Sequence, residues 1–320
     1  MPLAGIIREE IEREGPIAFP RFMELALYHP EYGYYMRERE RFGRAGDFFT
    51  AEQLQPVFGI LIAAIIRSLC EEMGSPEDFT IVELGAGREE MRDAFSAFSY
   101  VPVDIARGAL PERFTGAVFM NEFFDALPVE VAVCREGGFR QLRVGWNGSR
   151  FEWVEAGAAT PEVQEYIRRY IGTREEGEIA EANLAALEWL DRIAGALERG
   201  YVLTIDYGYT RRESVRFPRG TLMSYRRHAA LEDVLAEPGG RDITAHVCFT
   251  ALEEHGRALG LETVRLETMA RALLRIGEAD QFAAALAGAD ERETARRTLQ
   301  LKTLLFGMGE TFRVLLQKKG

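Results

Sequence analysis

The chain has 320 residues, 47% hydrophobic and 28% charged, a balance that excludes a disordered polymer and leaves ample material for a core. That length exceeds one minimal domain, so one elaborated α/β domain, or a domain with a smaller lobe, fits best. The net charge of −12 excludes unspecific attraction to DNA or RNA, whose phosphates reward basic surfaces.

From the start, Leu3, Ile6, Ile7 and Ile11 share one helical face, and Gly15-Pro16 stops the helix. A second helix is predicted from Phe19 to Leu27, ended by His29-Pro30. A loop rich in Gly, Arg and aromatic residues runs from Tyr32 to Thr50. A long apolar helix follows, from about Pro56 to Met73. The pattern then changes to short apolar runs that read as buried parallel strands: Thr80–Leu84, Tyr100–Ile105, Ala117–Asn121 and Tyr201–Ile205. Between the last two, Val129–Cys134, Phe139–Trp146 and Phe151–Val154 alternate, with Gly137-Gly138 and Asn147-Gly148 as hairpin turns. A helical stretch from Ile179 to Arg199 leads back to the core. Beyond Asp206 come an Arg-rich loop, a turn at Pro238-Gly239 and a helix from Ala251 to Leu259, with Thr250 and Glu253 spaced as a capping box. Strands at Thr263–Leu266 and Phe312–Gln317 close the chain. The expected organisation is a helical segment with a covering loop over 1–75, the first half of a ligand-binding core over 76–129, an inserted lobe over 130–198, and the second half of the core over 199–320.

Cys70, Cys134 and Cys248 are an odd, widely spaced set that matches neither a disulfide framework nor a zinc site, and buried thiols are expected. No histidine grouping has metal-ligand spacing, so no metal is expected. No secretory signal is visible, and the longest apolar run, Ile60 to Ile66, is too short to span a bilayer. The expected setting is the cytoplasm of a bacterium, without a membrane span or a nucleic-acid partner.

The chemistry begins at Glu83-Leu84-Gly85-Ala86-Gly87, a strand running into a tight glycine turn and, by expectation, a helix from Arg88. Such a turn lets the backbone approach a ligand at a helix N-terminus. A dinucleotide fingerprint needs a third glycine where Glu90 stands, and the P-loop Gly-Lys-Ser/Thr is absent. Glu83 ahead of the turn suits a ligand with an ammonium group and no phosphate, such as S-adenosylmethionine (SAM). Asp104, at the end of the next strand, is placed to accept hydrogen bonds from ribose hydroxyls. An ordinary strand–turn–helix shows the same residues, so SAM, NAD and a turn without a ligand stay open on this segment.

Asn121-Glu122-Phe123-Phe124-Asp125-Ala126-Leu127-Pro128 narrows the choice. With the glycine turn, this block resembles the MidA-like family of SAM-dependent methyltransferases, whose mitochondrial members act as complex I assembly factors. Tyr28-His29-Pro30-Glu31-Tyr32-Gly33-Tyr34-Tyr35 and Gly46-Asp47-Phe48-Phe49-Thr50 are similar to its N-terminal signatures. Asp206-Tyr207-Gly208-Tyr209, Tyr225-Arg226-Arg227-His228, Asp242-Ile243-Thr244-Ala245-His246-Val247 and Met308-Gly309-Glu310 resemble its later blocks. The resemblance implies a Rossmann-like class I methyltransferase sheet with an N-terminal helical segment and an inserted hairpin and helical lobe, SAM as methyl donor, and, in the mitochondrial case, arginine methylation of a protein subunit. The chain departs from the family's Gly-Pro-Gly-Arg-Gly turn, having Glu89 in place of its last glycine. Only 16 residues separate Asp104 from Asn121, too few for the usual helix and strand, so the sheet edge beside the adenine is expected to be trimmed.

On this reading Glu83, Gly85, Ala86, Gly87, Asp104 and Asn121 hold the cofactor, covered by Gly46, Asp47 and Phe48. Methyl transfer is an in-line displacement that needs alignment, exclusion of water and a carboxylate to take the acceptor's proton. Glu122, with Asn121 and Asp125, is the catalytic candidate, because this strand end is where open α/β sheets bind ligands. Phe123, Phe124, Tyr207 and His246 are candidates for the acceptor, the Phe pair as a cation–π wall or plain core. Asp125 reads equally as a helix N-cap, and His246 as a structural histidine. The expected partner is a protein side chain, arginine first, with a respiratory-complex subunit as one candidate; a homodimer is compatible with this. A small-molecule methyltransferase with 130–198 as lid, and a non-catalytic assembly protein, are the alternatives.

Overall fold

Two groups of strands and helices organise the chain, in a computed structural model that describes residues 2–37, 51–105, 107–226, 229–231 and 233–320. By contact density they form two units: Thr50–Phe123, Trp189–Gly208 and Glu253–Gly320 make the first, and Met1–Phe49, Phe124–Glu188 and Tyr209–Leu252 the second.

The first unit is built on a mixed sheet. Its path is Glu262–Thr268, Phe312–Lys319, Leu197–Tyr209, Phe114–Asn121, Thr80–Leu84 and Ser99–Val103. Ser99–Val103, Thr80–Leu84, Phe114–Asn121 and Leu197–Tyr209 run parallel, while Phe312–Lys319 is antiparallel to both of its neighbours. The parallel strands are almost continuously apolar because both faces are covered. Helix Val57–Glu72 is apolar from Val57 to Ile66 and buried over most of that length, while Arg67, Glu71 and Glu72 at its end are exposed. It packs against Met269–Gly277, Ala283–Leu286 and Glu291–Lys302, and Phe58, Ile62, Ile66, Leu273 and Leu304 are fully buried between them. The sheet and its helices together are an α/β fold on a mixed, mainly parallel sheet.

The second unit centres on Gly138–Trp146, paired antiparallel with Glu130–Arg135, Phe151–Ala158 and Ile17–Ala18; Ile179–Ala182 extends it beyond Glu130–Arg135. Helices Pro2–Glu14 and Phe19–Tyr28 bury Leu3, Ile7, Phe19, Phe22 and Leu27 in the same apolar cluster as Val131, Val133, Leu142 and Val144. Both hairpin turns form, with Gly137 at φ 76° and Gly148 at φ 96°. A small sheet of Met223–Arg226, Ala229–Leu231 and Asp242–Thr244 completes the unit.

Several sequence expectations need correction. No helix follows the glycine turn: Gly87 (φ 48°) and Glu89 (φ 61°) are both left-handed, which blocks helix propagation. The chain continues in turns, as from Arg92 N to Glu89 O at 3.0 Å and Ser96 N to Asp93 O at 3.3 Å. The stretch from Ile179 opens as a strand, because pairing with Glu130–Val133 overrides its Ala and Glu propensity, and the helix covers Leu184–Ala196. The capping box is absent: Thr250 lies inside helix Phe249–Ala258, and its Oγ1 accepts from Arg211 N at 2.8 Å. The helices between Met269 and Lys302 were not foreseen. All three cysteines are buried, and none forms a disulfide. No helix among the described residues is long and apolar enough to cross a membrane.

Candidate functional site

Strand Thr80–Leu84 delivers its chain into the glycine turn at the C-terminal edge of the sheet. Gly85 (φ 76°) and Gly87 (φ 48°) occupy the left-handed region that side chains disfavour. The amides of Gly85 and Ala86 both donate to Val103 O, at 2.9 and 3.2 Å, which fixes the turn to the neighbouring strand. Above it lies Phe123: a Cβ on Gly85 would meet the Phe123 ring at 3.0 Å. Phe123 is itself held edge-on against Trp189, with ring centres 5.2 Å apart.

Carboxyls crowd this edge. Glu83 is 1% exposed. Its Oε2 accepts from the Tyr100 hydroxyl, and its carboxyl also meets that of Glu52. Burial pushes the Glu83 carboxyl up to about 8, against the pull of the Tyr100 hydrogen bond, and Glu90, Glu89 and Asp104 add repulsion. Glu52, on the short 3-10 turn Ala51–Gln53, is also buried and is raised well above the usual carboxylate range. The cause is burial first, then the charges of Glu83, Glu90 and Glu122, and a hydrogen bond with the Glu83 carboxyl. Glu122 follows strand Phe114–Asn121 in a left-handed conformation at φ 51°, unusual for a residue with a side chain. Its amide donates to Ile205 O at 2.9 Å, and its Oε1 accepts from Ala51 N at 3.3 Å and Asn121 Nδ2 at 3.2 Å. Asn121 is buried, and its Oδ1 lacks a partner.

Thus Glu83, Gly85, Ala86, Gly87, Asn121, Glu122 and Phe123 gather at one edge of one sheet. Asp104 stands at the end of the adjacent strand Ser99–Val103, where its Oδ1 accepts from Ile105 N at 2.8 Å. Among the described residues no strand lies beyond Ser99–Val103; the chain turns back at once, with Arg107 N donating to Asp104 O at 3.0 Å. Tyr207 sits on strand Leu197–Tyr209 with its ring edge-on to Phe312, 5.5 Å between centres.

The remaining candidates belong to the second unit. Phe124 is fully buried, and its carbonyl accepts from Asn183 Nδ2 at 2.9 Å. Asp125 is buried in a turn with no helix after it, so it caps none. Its carbonyl accepts from Ala245 N at 2.9 Å. His246 packs edge-on to Phe217 at 5.2 Å, and its amide donates to Thr221 Oγ1 at 3.0 Å. Burial lowers its imidazole, which favours the neutral form. Gly46, Asp47 and Phe48 lie outside the described residues.

Sequence reasoning passed over Glu52, Tyr100 and Arg107. Tyr100 had a readable signal: it pairs with Ile81, two residues from Glu83 on the same sheet face, a diagonal contact typical of neighbouring strands. Glu52 follows the Gly46-Asp47-Phe48-Phe49-Thr50 block, but what it packs against depends on a turn that meets partners across a long separation in sequence.

Known proteins sharpen the reading of this geometry. The family model for S-adenosyl-L-methionine-dependent methyltransferases matches residues 99–266. The chain is 29% identical over 308 residues to the mitochondrial protein arginine methyltransferase NDUFAF7 homolog of Drosophila melanogaster, covering 77% of this chain and 68% of that one. The human protein arginine methyltransferase NDUFAF7 is 25% identical over 375 residues, covering 97% and 82%. A crystal structure of a Burkholderia thailandensis protein bound to S-adenosyl-homocysteine superposes with a TM-score of 0.87 at 29% identity, covering 99% of this chain and 92% of that one. With the family model spanning more than half of its length, and a sheet whose glycine-turn edge carries the family's blocks, this chain belongs to the MidA-like family of SAM-dependent methyltransferases.

Proposed function

We propose that this methyltransferase modifies the guanidinium of an arginine on a protein substrate. The observation that carries the proposal is the environment of Glu122. A carboxylate held in a left-handed conformation at the catalytic edge, among the buried carboxyls Glu52 and Glu83, prefers a cationic acceptor to a neutral hydroxyl. The arginine methyltransferases named above support the same choice.

The residues present fit SAM. Asn121 Oδ1 is a buried acceptor with no partner among the described residues, and the buried Glu83 carboxyl is met by the Tyr100 hydroxyl and by a second acid, Glu52, an arrangement that a cationic ligand improves. An ammonium group supplies the missing donors. Gly85, Ala86 and Gly87 let a ligand approach the backbone, and Asp104 offers its carboxylate to a ribose. When bound, SAM supplies an electrophilic methyl group on its sulfonium. Glu122 then orients the guanidinium and takes the proton that leaves its nitrogen as the methyl arrives. Phe123 keeps water from the turn. Gly46, Asp47 and Phe48 are proposed as the cover of the cofactor, and Tyr207 as an acceptor contact. Asp125, Phe124 and His246 are kept as candidates for contact with the acceptor. The segment 130–198, with its exposed hairpin strand Phe151–Ala158, is proposed as the lobe that meets the protein substrate.

The test is incubation of the purified protein with methyl-labelled SAM and a cell extract, followed by size separation and mass spectrometry. Label on arginine in a protein-sized product is expected. Label on a carboxylate, a hydroxyl or a small metabolite overturns the arginine assignment, and no labelled product in any fraction favours a non-catalytic assembly role.

A further inference from the structure

The trimmed sheet edge leaves the nucleoside end of the site without the strand that would ordinarily flank it, and Glu89 puts a negative charge into the glycine turn. One side chain answers both. After strand Ser99–Val103 the chain reverses over Asp104 to Arg107, with Asp104 N donating to Arg107 O at 2.8 Å and Arg107 N to Asp104 O at 3.0 Å. The reversal requires Gly108: its φ is 70°, and a Cβ there would stand 2.3 Å from Pro102 O. Arg107 is thereby carried back over the edge toward the turn.

Its guanidinium makes three polar approaches there. Nη1 donates to Glu89 Oε1 at 3.0 Å, Nη2 donates to the carbonyl of Gly87, and Nη2 lies 3.9 Å from Asp104 Oδ2. Glu89 is also held by Arg92. Its side chain is only 17% exposed, while those of Arg92 and Arg107 are 58% and 54% exposed. An isolated surface pair of this kind contributes little. Here the planar fork hydrogen-bonds the Gly87 carbonyl and the Glu89 carboxylate of one segment, which fixes its geometry, and brings its charge to 3.9 Å from Asp104 on another. Asp104 is left with one oxygen on the Ile105 amide and the other facing the guanidinium.

We propose that Arg107 is a positioning residue for the nucleoside end of the cofactor, tying Gly87, Glu89 and Asp104 into one frame in place of the absent flanking strand. It neutralises Glu89, so that the turn tolerates a charge where the family has glycine. It also sets the Asp104 carboxylate in the orientation that receives the ribose hydroxyls. This rests on the cofactor reading above.

The test compares dissociation constants of S-adenosyl-homocysteine and its 2′-deoxyribose analogue, by calorimetry, for the unaltered protein, Arg107→Ala, Arg107→Lys and Glu89→Gln, with thermal melts to confirm folding. The unaltered protein should favour the ribose form by about tenfold, one good hydrogen bond to a charged acceptor. Arg107→Ala should shrink that preference to about threefold or less while hardly changing the affinity for the deoxy analogue. Arg107→Lys should restore part of the preference, and Glu89→Gln should retain it, since the Gly87 carbonyl still holds Arg107 beside Asp104. Equal weakening of both ligands by Arg107→Ala, or no change in either, overturns the proposal. If the unaltered protein does not distinguish the two sugars, the assignment of Asp104 fails and the role of Arg107 with it. If it binds neither ligand, the cofactor reading itself is wrong.

Discussion

Glu83 in the core unit and Glu181 in the hairpin unit are both buried glutamates, 1% and 5% exposed. Burial raises both carboxyls. Their surroundings differ. Glu181 accepts from Thr221 N at 2.8 Å and from Thr221 Oγ1 at 3.2 Å, and the backbone closes so tightly over it that a Cβ on Gly220 would lie 2.1 Å from its Oε1. Glu83 is held by the Tyr100 hydroxyl and meets a second acid, the carboxyl of Glu52, beside a left-handed glycine turn. A finished carboxyl is a structural element. On the reading proposed above, an acid paired with an acid beside a left-handed glycine turn is where a cationic ligand completes the polar set.

The most severe test of that contrast is at the turn. Gly85→Val forces a branched side chain into φ 76° and into the Phe123 ring, so SAM binding measured by calorimetry should be lost while the far-ultraviolet circular dichroism stays native. Retained affinity would remove the turn from the site. Next in size, Glu122→Gln should cut methyl transfer by about a hundredfold or more, within the usual range for losing a general base, with SAM affinity nearly unchanged. A matching drop in affinity would make Glu122 a cofactor ligand instead.

Acidity sharpens the comparison further. With its carboxyl near 8 in the ligand-free protein, Glu83 carries a proton at neutral pH. A cationic ligand favours the ionised form, so binding should release that proton. Affinity for SAM, corrected for the ligand's own amine, should rise by up to about tenfold per pH unit below 8 and flatten above it. Calorimetry in two buffers of different ionisation enthalpy reads the release directly, and proton uptake at neutral pH would refute it. Stability should move the opposite way: the folded state binds the extra proton between the ordinary carboxylate range and about 8, so the ligand-free protein loses stability as pH rises through that window. The smallest effects separate the two glutamates themselves. Glu83→Gln should weaken SAM by about tenfold at little cost in stability. Glu181→Ala should lower stability by about 1–3 kcal/mol, by stranding its donors, with affinity unaltered. Denaturant titration of both variants checks this, and interchangeable behaviour would erase the distinction.

How much of this was legible in the sequence follows from the range of the interactions. Parallel strands such as Thr80–Leu84 were readable because burial on both faces leaves a continuous apolar run. The hairpins were readable from Gly137 and Gly148, whose backbone angles the turns require. The glycine turn and the Asn121-Glu122 block could be located, together with Asp104 at its strand end. The turn segment after Gly87 was misread as a helix, since nothing local reveals that Glu89 is left-handed. Ile179–Ala182 looked helical because only its partner strand makes it a strand. Glu52 and Arg107 were missed for the same reason. Each acquires its neighbours through tertiary contact, and neither stands in a pattern of its own.

The order of strands also bears on how the protein is made. Phe312–Lys319 lies inside the sheet, hydrogen-bonded on one side to Leu197–Tyr209 and on the other to Glu262–Thr268. During synthesis every other strand of that path leaves the ribosome first. Until residue 319 has emerged, Leu197–Tyr209 must wait with one row of its backbone groups unmatched, and Glu262–Thr268 has no neighbour in the sheet to join. A nascent chain in that condition presents an open strand edge, the kind of surface on which other polypeptides add. Ribosome stalling before Phe312 should therefore yield a chaperone client rather than a working fragment.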